Sequence, residues 1–208
     1  MNQPDEPAFR PGNDIIPPVP PQMPQVPPSR LARWLGRTAL RAGGWRIVGP
    51  IPNLAKAVLV VAPHSSNWDG YWGMAAKLAL GLQVRVLGKR QLFWWPLGPL
   101  LRHLGAISVD RSMPKGTVEQ AVQIINHFDR IWFTITPEGT RKPVDKWKTG
   151  FWKIAHQAEV PMVLAYFHYP ERLIGITEVF HTTDDMLQDV AMIREFYRPW
   201  MGRNRGVF

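Results

Sequence analysis

The chain has 208 residues, with 25 Lys and Arg against 16 Asp and Glu, and a formal net charge of +9 at pH 7. This length suits one well-packed domain and is short for two. Cysteine is absent, which excludes disulfides, thiolate nucleophiles and Cys-ligated zinc, and favours a reducing compartment. The positive charge predicts an anionic partner, which would be nucleic acid, a membrane surface or a phosphorylated ligand.

The aromatic composition favours lipid among these partners. Ten Trp and nine Phe stand against four Tyr, and Trp concentrates at membrane interfaces. No zinc-finger, RRM or KH pattern is present, so we expect no nucleic-acid partner. The longest apolar run, residues 92–101, is shorter than the ~20 residues that span a bilayer, and no signal-peptide core precedes it. We therefore expect a cytoplasmic protein, peripheral on the inner face of the cytoplasmic membrane and in contact with anionic lipids.

The first 29 residues differ in composition from the rest. They hold ten of the 21 prolines and carry a net charge of −2. Such a segment has too few bulky apolar groups to offset its ordering entropy, so residues 1–29 are predicted to be a disordered or polyproline-like tail. The basic character of the chain therefore belongs to the remainder.

Residues 30–44 are predicted to form a basic amphipathic helix, capped by Ser29 and closed by Gly43-Gly44. One face carries four arginines and another is largely apolar: Arg30, Arg33, Arg37 and Arg41 on the first, and Leu31, Trp34, Leu35 and Ala42 on the second. This pattern is typical of a helix that lies in a membrane interface. It is equally typical of a surface helix packed on its own domain, and the sequence leaves both interpretations open.

Strand-like and helix-like runs alternate beyond this helix. Strands are predicted at 45–48, 57–62, 84–87, 106–109, 131–136, 162–168 and 173–179. Helices are predicted at 69–80, about 91–103, 117–128, 150–158 and 184–197. The alternation predicts a single α/β domain over residues 45–208, with a largely parallel sheet flanked by helices and preceded by the basic helix.

A polar cluster, His64-Ser65-Ser66-Asn67-Trp68-Asp69, follows the predicted strand at 57–62. Strand ends of this kind are where α/β folds place binding and catalytic groups. A carboxylate on one imidazole nitrogen would leave the other nitrogen free to accept a proton. The alternative is that Asp69 only caps the following helix, where an acidic group is favoured. Because no Cys and no G-x-S-x-G elbow is present, His64 would act on a hydroxyl of the substrate.

A second cluster, Pro137-Glu138-Gly139-Thr140-Arg141, follows the predicted strand at 131–136. Glycine lets the backbone approach a ligand closely, threonine supplies a hydroxyl, and arginine presents a planar fork of donors suited to phosphate. Glu138 would either orient Arg141 or bind a hydroxyl or amine of the ligand. Lys148 lies close by in the sequence and adds to this predicted anion site.

Arg111 follows a third strand-like run, at 106–109. Two arginines that arrive from the ends of two strands can converge on one phosphate. The alternative is a surface ion pair with Asp110 or Asp129.

Taken in order, four blocks resemble the glycerolipid and lysophospholipid acyltransferase family. They are H-x4-D at residues 64–69, G-x-I-x-V-D-R at 105–111, P-E-G-T-R at 137–141 and Val160-Pro161, and the resemblance covers roughly residues 45–180. It implies transfer of a fatty acyl group from acyl-CoA or acyl carrier protein to the hydroxyl of a lysolipid acceptor. That acceptor would be lysophosphatidate or a related lysophospholipid or lyso-aminolipid.

The resemblance also assigns roles to residues. His64 would be the general base and Asp69 its partner, and the acceptor with its phosphate would be bound by the remaining motif residues: Arg111, Glu138, Gly139, Thr140 and Arg141. No H-E-x-x-H spacing and no dinucleotide glycine motif is present, so we expect neither a metal nor a bound cofactor. Two alternatives remain: an ester or thioester hydrolase that uses the same histidine, and a non-catalytic membrane- or nucleic-acid-binding module.

Overall fold

The computed structural model describes residues 15–27, 29–89, 94–95, 98–99, 102, 105–109 and 116–207. Seven strands and five helices have both of their ends in this part of the chain. The strands are β1 (Arg46–Val48), β2 (Lys56–Val61), β3 (Val84–Lys89), β4 (Ala106–Val109), β5 (Ile131–Ile135), β6 (Met162–His168) and β7 (Leu173–Phe180). The helices are α1 (Arg30–Gly43), α2 (Trp68–Leu80), α3 (Gly116–His127), α4 (Gly150–Gln157) and α5 (Met186–Phe196). Most of the helix predicted at about 91–103 lies outside the described residues.

The strands form one sheet in the order β1-β7-β6-β2-β5-β3-β4. Every neighbouring pair is parallel except β6 and β7, which form an antiparallel pair. This confirms the predicted α/β fold with a largely parallel sheet. β2 lies between β5 and β6, with Val60 opposite Ile135 and Val61 opposite Ala165. The carboxyl ends of β5, β2 and β6 therefore lie side by side at one edge of the sheet.

Helices cover both faces of the sheet, and β2 shows how the sequence divides between them. Ala57 and Leu59 belong to the apolar cluster that includes residues of α1 and α2. Val58 and Val60 belong to the cluster that includes residues of α3, α4 and α5. A strand buried on both faces is apolar throughout, as parallel strands usually are.

Helix α1 begins and ends where its sequence predicts. The Ser29 side chain accepts a hydrogen bond from the backbone N–H of Ala32 at 3.2 Å, and Gly44 closes the helix in the left-handed conformation, with φ of 71°. The helix packs on α2 through Gly36. A Cβ atom at that position would lie 2.4 Å from the backbone nitrogen of Ala79, so no side chain fits between the two helices.

The outer face of α1 is apolar as well as basic. Leu31, Trp34 and Leu35 are 66%, 59% and 48% exposed, whereas Leu40 is fully buried. The helix thus packs on its own domain with one face and leaves large apolar side chains facing outward with the other. Among the described helices, none is both long and apolar enough to cross a membrane.

Residues 15–27 differ from the prediction of a disordered tail. The Ile15 carbonyl accepts a hydrogen bond from the Ile47 backbone at 2.8 Å, the Pro24 carbonyl accepts one from Gln83 at 2.8 Å, and Met23 is fully buried. The prediction of disorder is therefore wrong for this stretch, because Met23 supplies an apolar anchor and the domain offers backbone donors along the way. Residues 1–14 lie outside the described part of the chain.

Candidate active site

Three neighbouring strand ends bring the polar groups of the site together. β2 leads into residues 62–67, the His64 loop. β5 leads into the turn that carries Glu138, and β6 ends one residue before Tyr169. The parallel register of β5, β2 and β6 places these three ends at the same edge of the sheet. The site therefore follows from the strand order, since its members are far apart in sequence.

His64 and Asp69 meet across the connection from β2 to α2. The imidazole Nδ1 lies 3.1 Å from Asp69 Oδ2, and the His64 side chain is 21% exposed while that of Asp69 is 1% exposed. The same Oδ2 atom accepts the backbone N–H groups of Ser65 and Ser66, each at 2.9 Å. A carboxylate on Nδ1 favours the tautomer with its proton on that atom, which leaves Nε2 as a proton acceptor. This is the first of the two interpretations that the sequence left open for Asp69.

Tyr169, which no motif indicated, completes the surroundings of Asp69. Its hydroxyl donates a hydrogen bond of 2.7 Å to Asp69 Oδ1. Burial raises the pKa of Tyr169, and the bond to Asp69 and the charge of that carboxylate raise it further, so the phenol stays protonated and remains a donor. Its position directly after β6 is the signal that sequence analysis could have used.

The hydrogen bonds around Asp69 decide its charge. Burial by itself would raise the pKa of the carboxyl group, but the bonds from His64, Tyr169 and the Ser66 backbone, together with the charge of His64, outweigh it and hold the pKa below its ordinary value. The position in the first turn of α2 acts in the same direction, because a helix N-terminus favours negative charge. Asp69 is therefore ionised at neutral pH and can stabilise a protonated His64.

Glu138 joins the two predicted motifs. Its Oε1 atom accepts the backbone N–H of His64 at 2.9 Å, and its Oε2 atom forms an ion pair with Arg205 Nη2. The residue is 1% exposed. Sequence analysis predicted that Glu138 would orient Arg141 or bind the ligand. The structure places both of its oxygens on protein groups instead, and one of them fixes the backbone of the His64 residue.

The rest of the second motif forms a more exposed turn. Gly139 has a φ of 64°, in the left-handed region that favours glycine, and the Lys148 side chain lies 3.2 Å from where its Cβ would be. Thr140 Oγ1 accepts a hydrogen bond from the Lys142 backbone at 3.2 Å, and Arg141 is exposed. The structure therefore brings Gly139 and Lys148 together near Glu138, with Arg141 on the same turn.

The other predicted cation of the anion site, Arg111, lies outside the described residues. Across the described ranges, no group of three or more His, Cys, Asp or Glu side chains is arranged to hold a metal ion.

A segment near the end of the chain, which no motif indicated, also reaches the site. Asn204 donates from its side chain to the Ser65 carbonyl at 2.7 Å and from its backbone to Ser65 Oγ at 3.2 Å. The Arg203 guanidinium lies 5.1 Å above the ring of Trp68. No strand ends directly before these residues, so a search for polar side chains at strand ends, which would find Tyr169, does not find them.

Known proteins resemble this chain in sequence and in fold. The family model described as Acyltransferase matches residues 46–167, which is more than half of the chain. A 1-acyl-sn-glycerol-3-phosphate acyltransferase from Streptococcus pneumoniae is 29% identical over an alignment of 134 residues, and the match covers 61% of this chain and 47% of that protein. The chain thus matches about half the length of that relative.

A solved structure shows the same fold. The crystal structure of the 1-acyl-sn-glycerophosphate (LPA) acyltransferase PlsC from Thermotoga maritima superimposes with a TM-score of 0.56 at 17% identity, and the match covers 83% of this chain and 81% of that one. At this identity the likeness shows the fold alone.

Proposed function

Since the chain belongs to the acyltransferase family, we propose that it transfers a fatty acyl group from a thioester donor to the hydroxyl of a lysolipid. The observation that carries the proposal is the contact of His64 Nδ1 with the buried Asp69 carboxylate. That contact leaves Nε2 free to accept a proton. The donor would be acyl-CoA or acyl carrier protein, and the acceptor lysophosphatidate or a related lysophospholipid or lyso-aminolipid.

In the proposed reaction, His64 Nε2 accepts the proton of the acceptor hydroxyl while the hydroxyl oxygen attacks the thioester carbonyl. The tetrahedral intermediate then expels the thiolate, which takes the proton back from His64. Asp69 stabilises the imidazolium in between, because its pKa is held low and it is ionised at neutral pH. The chemistry requires neither a metal nor a bound cofactor from this chain.

The exposed cations in and near the second motif would bind the phosphate of the acceptor. Arg141 and Lys148 are both exposed, and the absence of a side chain on Gly139 lets the Lys148 side chain lie directly against the turn. Arg111 and Thr140 complete the set that the family resemblance implies. This assignment leaves Glu138 out of direct ligand contact, because its two oxygens are bonded to His64 and Arg205.

The test is thiol release from a long-chain acyl-CoA, and then from an acylated carrier protein, with a panel of lysolipids added one at a time. We expect release that depends on one lysolipid and is lost in His64→Ala. His181→Ala is the matched control, because His181 is exposed at the end of β7 and should leave release unchanged. Release without any acceptor would identify a hydrolase, and no release with either donor would contradict the proposal.

We further propose that the acceptor is taken from a membrane to which the outer face of α1 binds. A groove on this helix is lined by Trp34 and four arginines: Arg30, Arg33, Arg37 and Arg41. Leu31 and Leu35 are exposed beside it. Basic residues near an anionic surface contribute ~1 kcal/mol each, and the apolar side chains would enter the interface. The expected location is the inner face of the cytoplasmic membrane.

Exposed aromatic residues support binding to a membrane. Trp68 and Tyr71, on the first turns of α2, are 47% and 51% exposed. Trp94 and Trp95 are 60% and 81% exposed. Trp and Tyr favour the headgroup level of a bilayer, so Trp68 and Tyr71, which follow His64 closely in the chain, would hold the site close to lipid.

Flotation with vesicles that contain an anionic phospholipid tests this proposal. We expect binding that weakens as salt rises, since charges at a surface are screened within ~10 Å at 0.1 M salt. The triple variant Leu31→Ser, Trp34→Ser, Leu35→Ser should lose binding. The matched control is Leu187→Ser, Met192→Ser, which removes exposed apolar side chains from α5 on the other face of the sheet. Equal binding by both variants would contradict the proposal.

A further inference from the structure

The segment Gly202–Arg205 holds the His64 loop from outside the two motifs. Asn204 bonds the carbonyl and the hydroxyl of Ser65. A Cβ atom on Gly202 would lie 2.6 Å from Ser65 Oγ, so the backbone of the segment packs directly on the loop. The segment Gly202–Arg205 lies beyond residue 167, where the match to the family model ends.

Arg205 is the charged member of the segment. Its Nη2 atom pairs with Glu138 Oε2 and also donates to the Lys142 carbonyl at 2.8 Å. The side chain is 17% exposed, whereas that of Glu138 is completely buried. A buried carboxylate without a partner is strongly disfavoured, so Arg205 holds the Glu138 side chain in place.

The contacts of Glu138 carry this effect to His64. One carboxylate oxygen is held by Arg205 and the other accepts the His64 backbone N–H. Arg205, Glu138 and His64 therefore form a chain of direct contacts that ends on the peptide backbone and does not touch the imidazole. Asn204 makes a parallel link to the next residue, Ser65.

We propose that Arg205 is a positioning residue for the active site, which acts through Glu138 to fix the backbone of His64, with Asn204 as its auxiliary. The expected loss of turnover rests on the acyl transfer proposed above. A residue that only positions the base lowers turnover and leaves the affinity for substrates unchanged. Misplacement of a reacting group by ~1 Å costs about 100-fold in rate.

The experiment compares Arg205→Met and Arg205→Lys with the control Arg130→Met. Arg130 donates to the Pro21 carbonyl at 3.0 Å and lies before β5, at the opposite end of that strand from Glu138. We expect Arg205→Met to lower kcat by about 30- to 100-fold, with KM for donor and acceptor unchanged within about threefold. Arg205→Lys should recover part of the loss, because an ammonium group also pairs with Glu138.

A second readout does not depend on turnover. Hydrogen exchange of the backbone amides of residues 64–66 reports directly on the bonds to Glu138 and Asp69. We expect the exchange rate at these amides to rise by about tenfold or more in Arg205→Met, and not to change in Arg130→Met. If Arg205→Met does not fold, Asn204→Ala takes its place, with kcat about tenfold lower and faster exchange at the same amides.

The outcomes separate three cases. Wild-type kcat and wild-type exchange in a folded Arg205→Met protein would overturn the proposal. So would a rise in KM for one substrate at unchanged kcat, since Arg205 would then contact that substrate. If the wild-type protein transfers no acyl group to any lysolipid, the proposed function fails. The exchange measurement then still decides whether Arg205 positions His64.

Discussion

Asp69 and Glu138 are both almost completely buried, yet they contact the His64 loop at different atoms. Asp69 bonds the imidazole and the two backbone N–H groups that follow it. Glu138 bonds the backbone N–H of His64 itself. One carboxylate therefore orients the ring and the other fixes the peptide from which the ring projects.

The two carboxylates also differ in what neutralises them. Glu138 has a permanent cation, Arg205, as its partner. Asp69 has no arginine or lysine partner among the described residues and relies on neutral donors, one of them Tyr169, and on His64. Asp69 can therefore stabilise His64 when the imidazole is protonated, whereas Glu138 is already paired with the guanidinium of Arg205. This comparison predicts a graded set of effects for the groups involved.

The largest effect is expected for Asp69→Asn. The amide offers one acceptor oxygen to four donors and favours the wrong imidazole tautomer, so turnover should fall by about 10⁴-fold. Steady-state acyl transfer by protein shown to be folded measures it. The matched control is Asp189→Asn, since Asp189 is an equally buried carboxylate that accepts from Trp152 at 2.7 Å and lies on α5. It should lower stability alone, and a loss of less than tenfold in Asp69→Asn would contradict the assigned role.

A smaller effect is expected for Glu138→Gln. The amide oxygen can still accept the His64 N–H, but the amide nitrogen cannot pair with Arg205. We expect turnover to fall by about 10- to 100-fold and the free energy of unfolding to fall by about 3 kcal/mol, as when one partner of a buried pair is removed. Kinetics and denaturant unfolding measure the two effects. Unchanged turnover with a higher KM for the acceptor would instead indicate that Glu138 binds the acceptor, as the family resemblance implies.

Local sequence patterns predicted one half of this comparison. His64 and Asp69 are five residues apart, and the apolar run before them marks the strand whose end they share, so their contact follows from a strand, a turn and a helix. The strands were found within one or two residues of their observed bounds for the same reason. The family assignment, which rests on the order of short motifs, is confirmed.

Long-range contacts account for what the sequence did not reveal. Tyr169 is 100 residues from Asp69, and Arg205 is 67 residues from Glu138. The first pair exists because the sheet order places β6 beside β2. The second exists because the segment that follows α5 reaches the turn after β5. One signal was available for the antiparallel pair of β6 and β7, since residues 169–172 are too few for the crossover that a parallel pair requires. Nothing comparable marks Arg205.

The smallest effect is expected for Tyr169→Phe. It removes one of the hydrogen bonds that keep the pKa of Asp69 low and leaves the imidazole contact intact. We expect turnover to fall by about tenfold or less, which corresponds to ~1.4 kcal/mol. Stability should fall by about 1–2 kcal/mol at neutral pH, because a bond to a charged group is lost.

The pH dependence of that stability loss tests the contact itself. The pKa of Asp69 is lowered in the folded protein, so its stabilisation is fully present above its ordinary value of 3.8 and is lost as the pH falls through the folded value. Without Tyr169 the folded value moves up toward 3.8. The part of the difference between wild type and Tyr169→Phe that depends on the charge of Asp69 should therefore be constant above about pH 5 and shrink below about pH 4.

Tyr197→Phe is the control, because the Tyr197 hydroxyl donates to the Val60 carbonyl at 2.8 Å and its loss should cost the same at every pH. A difference for Tyr169→Phe that stays constant down to about pH 3 would mean that the tyrosine does not bond the ionised carboxylate.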